Sequence, residues 1–207
     1  MPEIKQITVY KFEELSKEVQ AELIEKAEQD VNANCDSLWG FQENCQELLE
    51  EWGFENADIN YDLGYCQGSY FNFESKFYIE TFIKHSPEWL GKYSFLLETD
   101  FEGHMTIGRE SVFGDEDQAI SQEEWDYAQA ISYDKASYND AVEKKILEKK
   151  KLAEDFIDIV HNKKDELEAM FKKDGYDWLE AETSEETLRE RLIDDDCQYF
   201  ENGEIYG

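Results

Sequence analysis

Ile146, Ala153, Val160 and Leu167 stand seven residues apart within one stretch, Tyr138 to Lys173, whose pattern is helical throughout. Val142, Phe156, Ile157, Met170 and Phe171 widen the same stripe. A heptad-like seam about five turns long has to be covered by something apolar. The cover is either a sheet of the same chain or the matching seam of a second copy, which would make a dimer through the long helix. The first is the simpler expectation, because a sheet has its own apolar face to cover.

A sheet is signalled in the middle of the chain, where the period falls to two. Ile59, Tyr61, Leu63 and Tyr65 alternate with other residues, and so do Phe71, Phe73, Ser75, Phe77 and Ile79. This spacing predicts half-buried strands. Tyr93–Phe101 and His104–Arg109 read as a further hairpin around Glu102-Gly103. Residues 4–10 read as a first strand, and Gln198–Tyr206 as a terminal hairpin whose Glu201-Asn-Gly203 signals a type I′ turn. Short connections imply antiparallel pairing.

Helices flank the sheet segments. Ser16 is a plausible N-cap before the stripe Val19, Leu23, Ile24, Ala27 and Val31. A second helix over about 36–52 carries Leu38, Phe41, Cys45, Leu48, Leu49 and Trp52, with Gly53 as its stop. Ser121-Gln-Glu-Glu124 and Thr183-Ser-Glu-Glu186 are capping boxes that open further helices. The expected fold is α+β: a mostly antiparallel sheet of about 5–7 strands covered by helices, including the long helix near 138–173. It is expected as one domain over 1–207, or as a helical pair plus sheet over 1–110 followed by long helix and hairpin over 111–207.

Charge limits what such a fold can bind. Asp and Glu number 51 against 20 Lys and Arg, a net −31. That excess argues against direct nucleic-acid binding through a basic surface, which needs clustered Lys and Arg. It argues equally against an anionic membrane. Aromatic content of 14% separates the chain from acidic disordered sequences, so a folded core is expected. No apolar run reaches the ~20 residues of a membrane span. No signal peptide is read at the N-terminus, so a reducing, cytoplasmic setting with free thiols is expected for Cys35, Cys45, Cys66 and Cys197.

The excess is uneven. Residues 141–180 carry 11 acids and 9 bases, whereas 181–207 carry 9 and 2 and residues 1–60 carry 15 and 4. Glu14, Glu18, Glu22 and Glu25 recur at spacings of three and four along the first helix, and Glu43, Glu47 and Glu50 along the second. Asp115-Glu116-Asp117 and Asp194-Asp195-Asp196 are compact clusters. Like charges at i,i+4 destabilise a helix by roughly 0.2–0.5 kcal/mol each. A merely solvated face avoids that cost with mixed signs, so these thirteen residues are candidate contacts for a basic partner. Duplex DNA carries one charge per ~1.7 Å, so the whole excess equals that of roughly 50 Å of duplex, and half of it still matches a DNA-binding groove.

Motifs for chemistry are sparse. His85, His104 and His161 have no metal-ligand spacing, and the two aspartate-rich clusters lack the alternation and glycine of a calcium loop. No phosphate-binding or dinucleotide loop is present. No catalytic residue, metal or cofactor is therefore assigned. One alternative keeps chemistry open: Cys66 in the Cys66–Ser69 loop, with His85 or His104, as a small-molecule binder or hydrolase. Another makes the long helix the interface of an antitoxin-like protein.

Three segments resemble a family of uncharacterised phage and prophage proteins. Val9-Tyr-Lys-Phe-Glu-Glu-Leu-Ser16 resembles its strand and helix entry. Gly64-Tyr-Cys-Gln-Gly-Ser-Tyr-Phe71 is similar to its central loop, with Cys66 where serine is common and without the usual Asp-Gly. Asp177-Trp-Leu through Ile205-Tyr206 resembles its terminal helix and hairpin. The resemblance implies a mobile-element accessory protein. With the charge argument, it leads to the expectation of a non-enzymatic, DNA-mimicking inhibitor of a nucleic-acid-binding host defence protein, such as a CRISPR effector or restriction enzyme.

Overall fold

The computed structural model describes residues 7–34, 38–64, 68–101, 105–109, 111–133 and 140–206. The fold is α+β, with one antiparallel sheet of four strands in the order β1-β2-β3-β4. The chain gathers into two compact units with interleaved segments. Unit 1 takes 1–38, 62–69 and 173–207; unit 2 takes 39–61 and 70–172. The two ends of the chain share the core of unit 1.

In unit 1, a 3-10 turn at Phe12–Glu14 leads into α1 (Lys17–Ala33). Ser16 caps α1 as expected, its Oγ accepting from the Val19 N–H at 3.3 Å. The core is Phe12, Leu15, Ile24, Leu188 and Tyr199, with Val19, Leu23, Ala27 and Leu192 packed around it. Leu188 and Leu192 come from α7 (Glu185–Asp194). The N-cap of α7 is Ser184, whose Oγ accepts from the Thr187 N–H at 3.2 Å, one residue later than the capping box implies. Thr183 instead donates from Oγ1 to the Leu179 carbonyl at 2.8 Å, closing the preceding helix.

The ends pair through single bridges rather than full strands. Tyr10 and Tyr199 exchange N–H···O bonds at 2.9 and 2.8 Å, and Tyr199 faces Ile205. The terminal hairpin is present, with a different turn. Gly203 donates to the Phe200 carbonyl at 2.9 Å, and Phe200 donates to the Glu204 carbonyl at 2.8 Å. Positive φ occurs at Gly203 (84°) and not at Asn202, so this is a type I turn closed by a glycine bulge, not type I′. A Cβ on Gly203 would stand 2.9 Å from Val19 Cγ1, which seats the turn tightly on α1. Residues 4–6 of the expected first strand lie outside the described residues.

Unit 2 opens with α2 (Trp39–Glu51), β1 (Phe54–Asp62) and β2 (Tyr70–Phe77). Gly53 stops α2 at φ 84° and accepts from the Tyr78 N–H at 2.9 Å, where a Cβ would meet the Tyr78 carbonyl at 2.7 Å. The segment between the sheet's halves corrects the expected hairpin at 93–109. Residues 79–101 form α3 (Ile79–Ile83), α4 (Pro87–Tyr93) and a 3-10 turn at Ser94–Glu98. Pro87 at the first turn favours the helix. Tyr93 and Leu96 are buried while Ser94 and Leu97 are exposed, a period near three instead of two. The real hairpin is β3 (Thr106–Ile107) with β4 (Val112–Phe113), which leaves the sheet at four strands instead of 5–7. Glu102, Gly103 and His104 lie outside the described residues.

After β4, α5 (Gln122–Tyr133) starts at the expected capping box. Glu124 accepts from the Ser121 N–H at 3.0 Å, and Ser121 Oγ accepts from the Glu124 N–H at 3.3 Å. The long helix, α6, runs Asp140–Glu182, nine residues past its expected end. Ile146, Ala153, Val160 and Leu167 are all buried, as are Phe156 and Phe171. Phe156 packs 5.1 Å from Tyr93, 5.8 Å from Phe82 and 6.4 Å from Phe77, ring centre to ring centre. The seam thus closes a core within the chain. Leu147 is the one large apolar residue of α6 that is well exposed among the described residues.

One polar pair interrupts that core. Ser75 pairs with Ile107, so the next antiparallel position sets Phe73 opposite Arg109. There the Phe73 N–H donates to Glu168 Oε1 at 3.3 Å, and Lys164 Nζ donates to the Arg109 carbonyl at 2.9 Å. Lys164 and Glu168 bond each other at 2.6 Å. A buried ion pair therefore stands where a rung of the β2–β3 ladder would be. Burial pushes the Glu168 carboxyl up, against the pull of Lys164.

Candidate partner-binding surface

The thirteen candidate acids divide between the units. Glu14, Glu18, Glu22, Glu25, Asp194, Asp195 and Asp196 belong to unit 1; Glu43, Glu47, Glu50, Asp115, Glu116 and Asp117 belong to unit 2. Each unit is therefore considered by itself.

On α1, residues 18, 22 and 25 fall within one sector of about 60°, at 100° per residue. All three are exposed, and the opposite side carries buried Gln20 and Ile24 with half-buried Leu23 and Ala27. None of Glu18, Glu22, Glu25 and Glu28 forms an ion pair among the described residues. Glu14 is partly engaged, accepting from the Lys11 N–H at 2.9 Å. Asp196 is paired with Lys11 at 2.6 Å, and its φ of 48° marks the left-handed exit of α7. Asp194 and Asp195 are exposed.

The unit 2 acids are less uniform. Glu43, Glu47 and Glu50 are exposed on α2, above buried Phe41, Cys45 and Leu49; Glu50 accepts from Gln46 at 3.1 Å. Asp115, Glu116 and Asp117 are half-buried and belong to a 3-10 turn. Asp115 caps that turn by accepting from the Asp117 N–H at 3.0 Å, and Asp117 is bonded to Lys150 of α6. Two of these three carboxylates are thus engaged in holding the chain together.

Two grooves flank α1. One, of about 670 Å³, lies along Lys17, Gln20, Glu25, Glu28 and Arg189. The other, of about 570 Å³, runs between α1 and the terminal hairpin. Its floor includes half-buried Val19, Leu23 and Leu192, and exposed Ile205, Glu22, Asp30 and Glu204 line it further out. The Glu row of α1 is legible as a spacing in the sequence, whereas this apolar floor is not; the sequence signal nearest to it is apolar Ile205-Tyr206 next to Glu204.

The described residues reach only part of the alternative chemistry. His85 lies flat on Trp52, centroids 3.9 Å apart, and its Nε2 is 2.8 Å from the Glu51 carbonyl. His161 lies 3.4 Å from Asp165 on its own helix. Cys66, Gln67 and His104 lie outside the described residues. Cys45 is buried and Cys197 half-buried. Among the described residues, no group of three His, Cys, Asp or Glu side chains is placed to hold a metal, and no helix is long and apolar enough to cross a membrane.

Comparison with known proteins adds no relative: no protein family, curated protein or solved structure matches this chain.

Proposed function

We propose that this chain is a non-enzymatic binding protein that engages the cationic surface of a nucleic-acid-binding protein and competes there with the nucleic acid. The observation that carries the reading is the row Glu18, Glu22 and Glu25, exposed on one sector of α1 with no ion pair among the described residues. Three carboxylates over about 10.5 Å of helix give one charge per about 5 Å, against 3.4 Å along one DNA strand. The row alone is sparser than a DNA strand. The exposed acids of α7 add to the same unit's charge. Such a surface steers a basic partner and makes association fast and salt-sensitive.

In the mobile-element setting implied by the sequence resemblance, the partner is a host defence protein, a CRISPR effector or a restriction enzyme, met in the host cytoplasm. The test is capture from host lysate at low and high salt, with duplex DNA as competitor and a Glu18→Lys/Glu22→Lys/Glu25→Lys variant as control. Support requires a nucleic-acid-binding protein that is released by salt, displaced by DNA and lost with charge reversal. Retention that is indifferent to salt and DNA would sink the reading.

A further inference from the structure

We infer that the groove between α1 and the terminal hairpin is the seat for a partner segment that carries both apolar and cationic side chains. This rests on the acidic-surface reading and names the part of that surface that gives grip beyond charge. The groove's floor and rim differ in chemistry. Ile205 is 65% exposed and lines the same groove as apolar Val19, Leu23 and Leu192. Removing such a side chain from water favours binding. The rim carboxylates Glu22, Asp30 and Glu204 face one cation, Lys26, so the site keeps a negative excess. A second copy of this chain would bring the same negative rim against it. A lysine- or arginine-bearing segment matches both floor and rim.

The backbone supports the same seat. Ile205 is paired with Tyr199 only as an isolated bridge, and the hydrogen bonds around it are made by its neighbours: the Glu204 carbonyl accepts from Phe200, and the Tyr206 N–H donates to Gln198 at 2.7 Å. In an antiparallel pair this alternation turns the Ile205 N–H and carbonyl to the outer edge. Gly203 holds that edge beside α1, since any side chain there would strike Val19.

The test uses two probes on the full chain: an amphipathic peptide of leucine and lysine, and an oligolysine of equal charge. Titration calorimetry gives the affinities, and amide shifts give the location. The amphipathic peptide is expected to bind at least tenfold tighter, with shifts on α1 and 199–206. Ile205→Ser, a change at an exposed side chain, should bring the two affinities within about threefold. Equal binding of both peptides to the native chain overturns the groove and leaves the acidic-surface reading standing. Failure of both to bind overturns both readings. If sedimentation instead shows a dimer that Ile205→Ser dissociates, the occupant is a second copy and the inference falls.

Discussion

Glu168 in unit 2 and Glu22 in unit 1 each lie four residues from a lysine on the same helix, and their environments are opposite. Glu22 precedes Lys26, the order that suits the helix dipole, yet the two form no ion pair among the described residues. Glu168 follows Lys164, the less favourable order, and is locked to it at 2.6 Å. Spacing alone does not decide which charges pair, and neither does exposure, since Glu80–Lys84 and Lys173–Asp177 pair on the surface at the same spacing. Burial sets what a pair is worth: the Lys164–Glu168 pair replaces a ladder rung inside a core, where an unpaired charge is costly. Glu22 stands in water, where a surface pair is worth about 0–1 kcal/mol. Unit 2 directs part of its charge inward to join β2, α5 and α6, whereas unit 1 leaves the α1 row available to something outside the chain.

The largest effect should come from splitting the buried pair. Lys164→Met strands Glu168 beside Phe73 and leaves the Arg109 carbonyl without its donor. Breaking such a pair costs about 3–5 kcal/mol, read by urea unfolding. Changing both partners, Lys164→Met with Glu168→Leu, removes the stranded charge and should cost less than the single change. If the double variant were the less stable, the rung itself would outweigh the charge, and the contrast with α1 would need another basis.

Acid should weaken unit 2 in a graded way through Glu124, which is 8% exposed. Its burial acts to raise the carboxyl's pKa, but Lys149, the Ser121 N–H and Lys145 overcome that and hold it at about 2. A folded-state value below the unfolded one stabilises the fold above the ordinary carboxylate range. That contribution is lost as pH falls from about 5 towards 2. Glu124→Gln should cost about 2 kcal/mol at neutral pH, and the gap to the native chain should close below pH 4. A constant gap across that window would mean that the hydrogen bonds, not the charge, supply the effect.

Much of this architecture was legible because local signals and tertiary packing agree. The heptad positions Ile146 to Leu167 are the core face of α6, and Ser16 and Ser121 cap the helices that they announce. Failures came where two local signals competed. Tyr93–Phe101 is rich in strand formers, but Pro87 starts a helix just before it and the burial pattern continues at period three. Thr183 and Ser184 both offer a cap, and Thr183 is drawn back to Leu179. The candidate surface was half legible. The Glu row of α1 is a pure spacing signal, whereas the groove beside it needs residues 19 and 205 brought together across the chain. The inward role of Asp117 depends in the same way on a distant lysine, Lys150.

The smallest change in stability is the most telling for function. Glu22→Gln removes one member of an exposed row of like charges on α1, with no ion pair among the described residues to break. It should leave the fold unchanged or stabilise it by about 0.2–0.5 kcal/mol per relieved pair. In the same variant, affinity for a basic partner or for the leucine–lysine peptide should fall several-fold at low salt, and the difference should shrink as salt rises. The sign is the point: a change that spares the fold and weakens binding marks Glu22 as a contact and not a structural group. A marked loss of stability would place Glu22 among the structural acids with Glu124, and the row would then lose its claim as a binding surface. Glu25→Gln should repeat the pattern, whereas Glu18 stands in the first turn of α1, where the helix dipole favours its charge, so Glu18→Gln should lower affinity and cost a little stability.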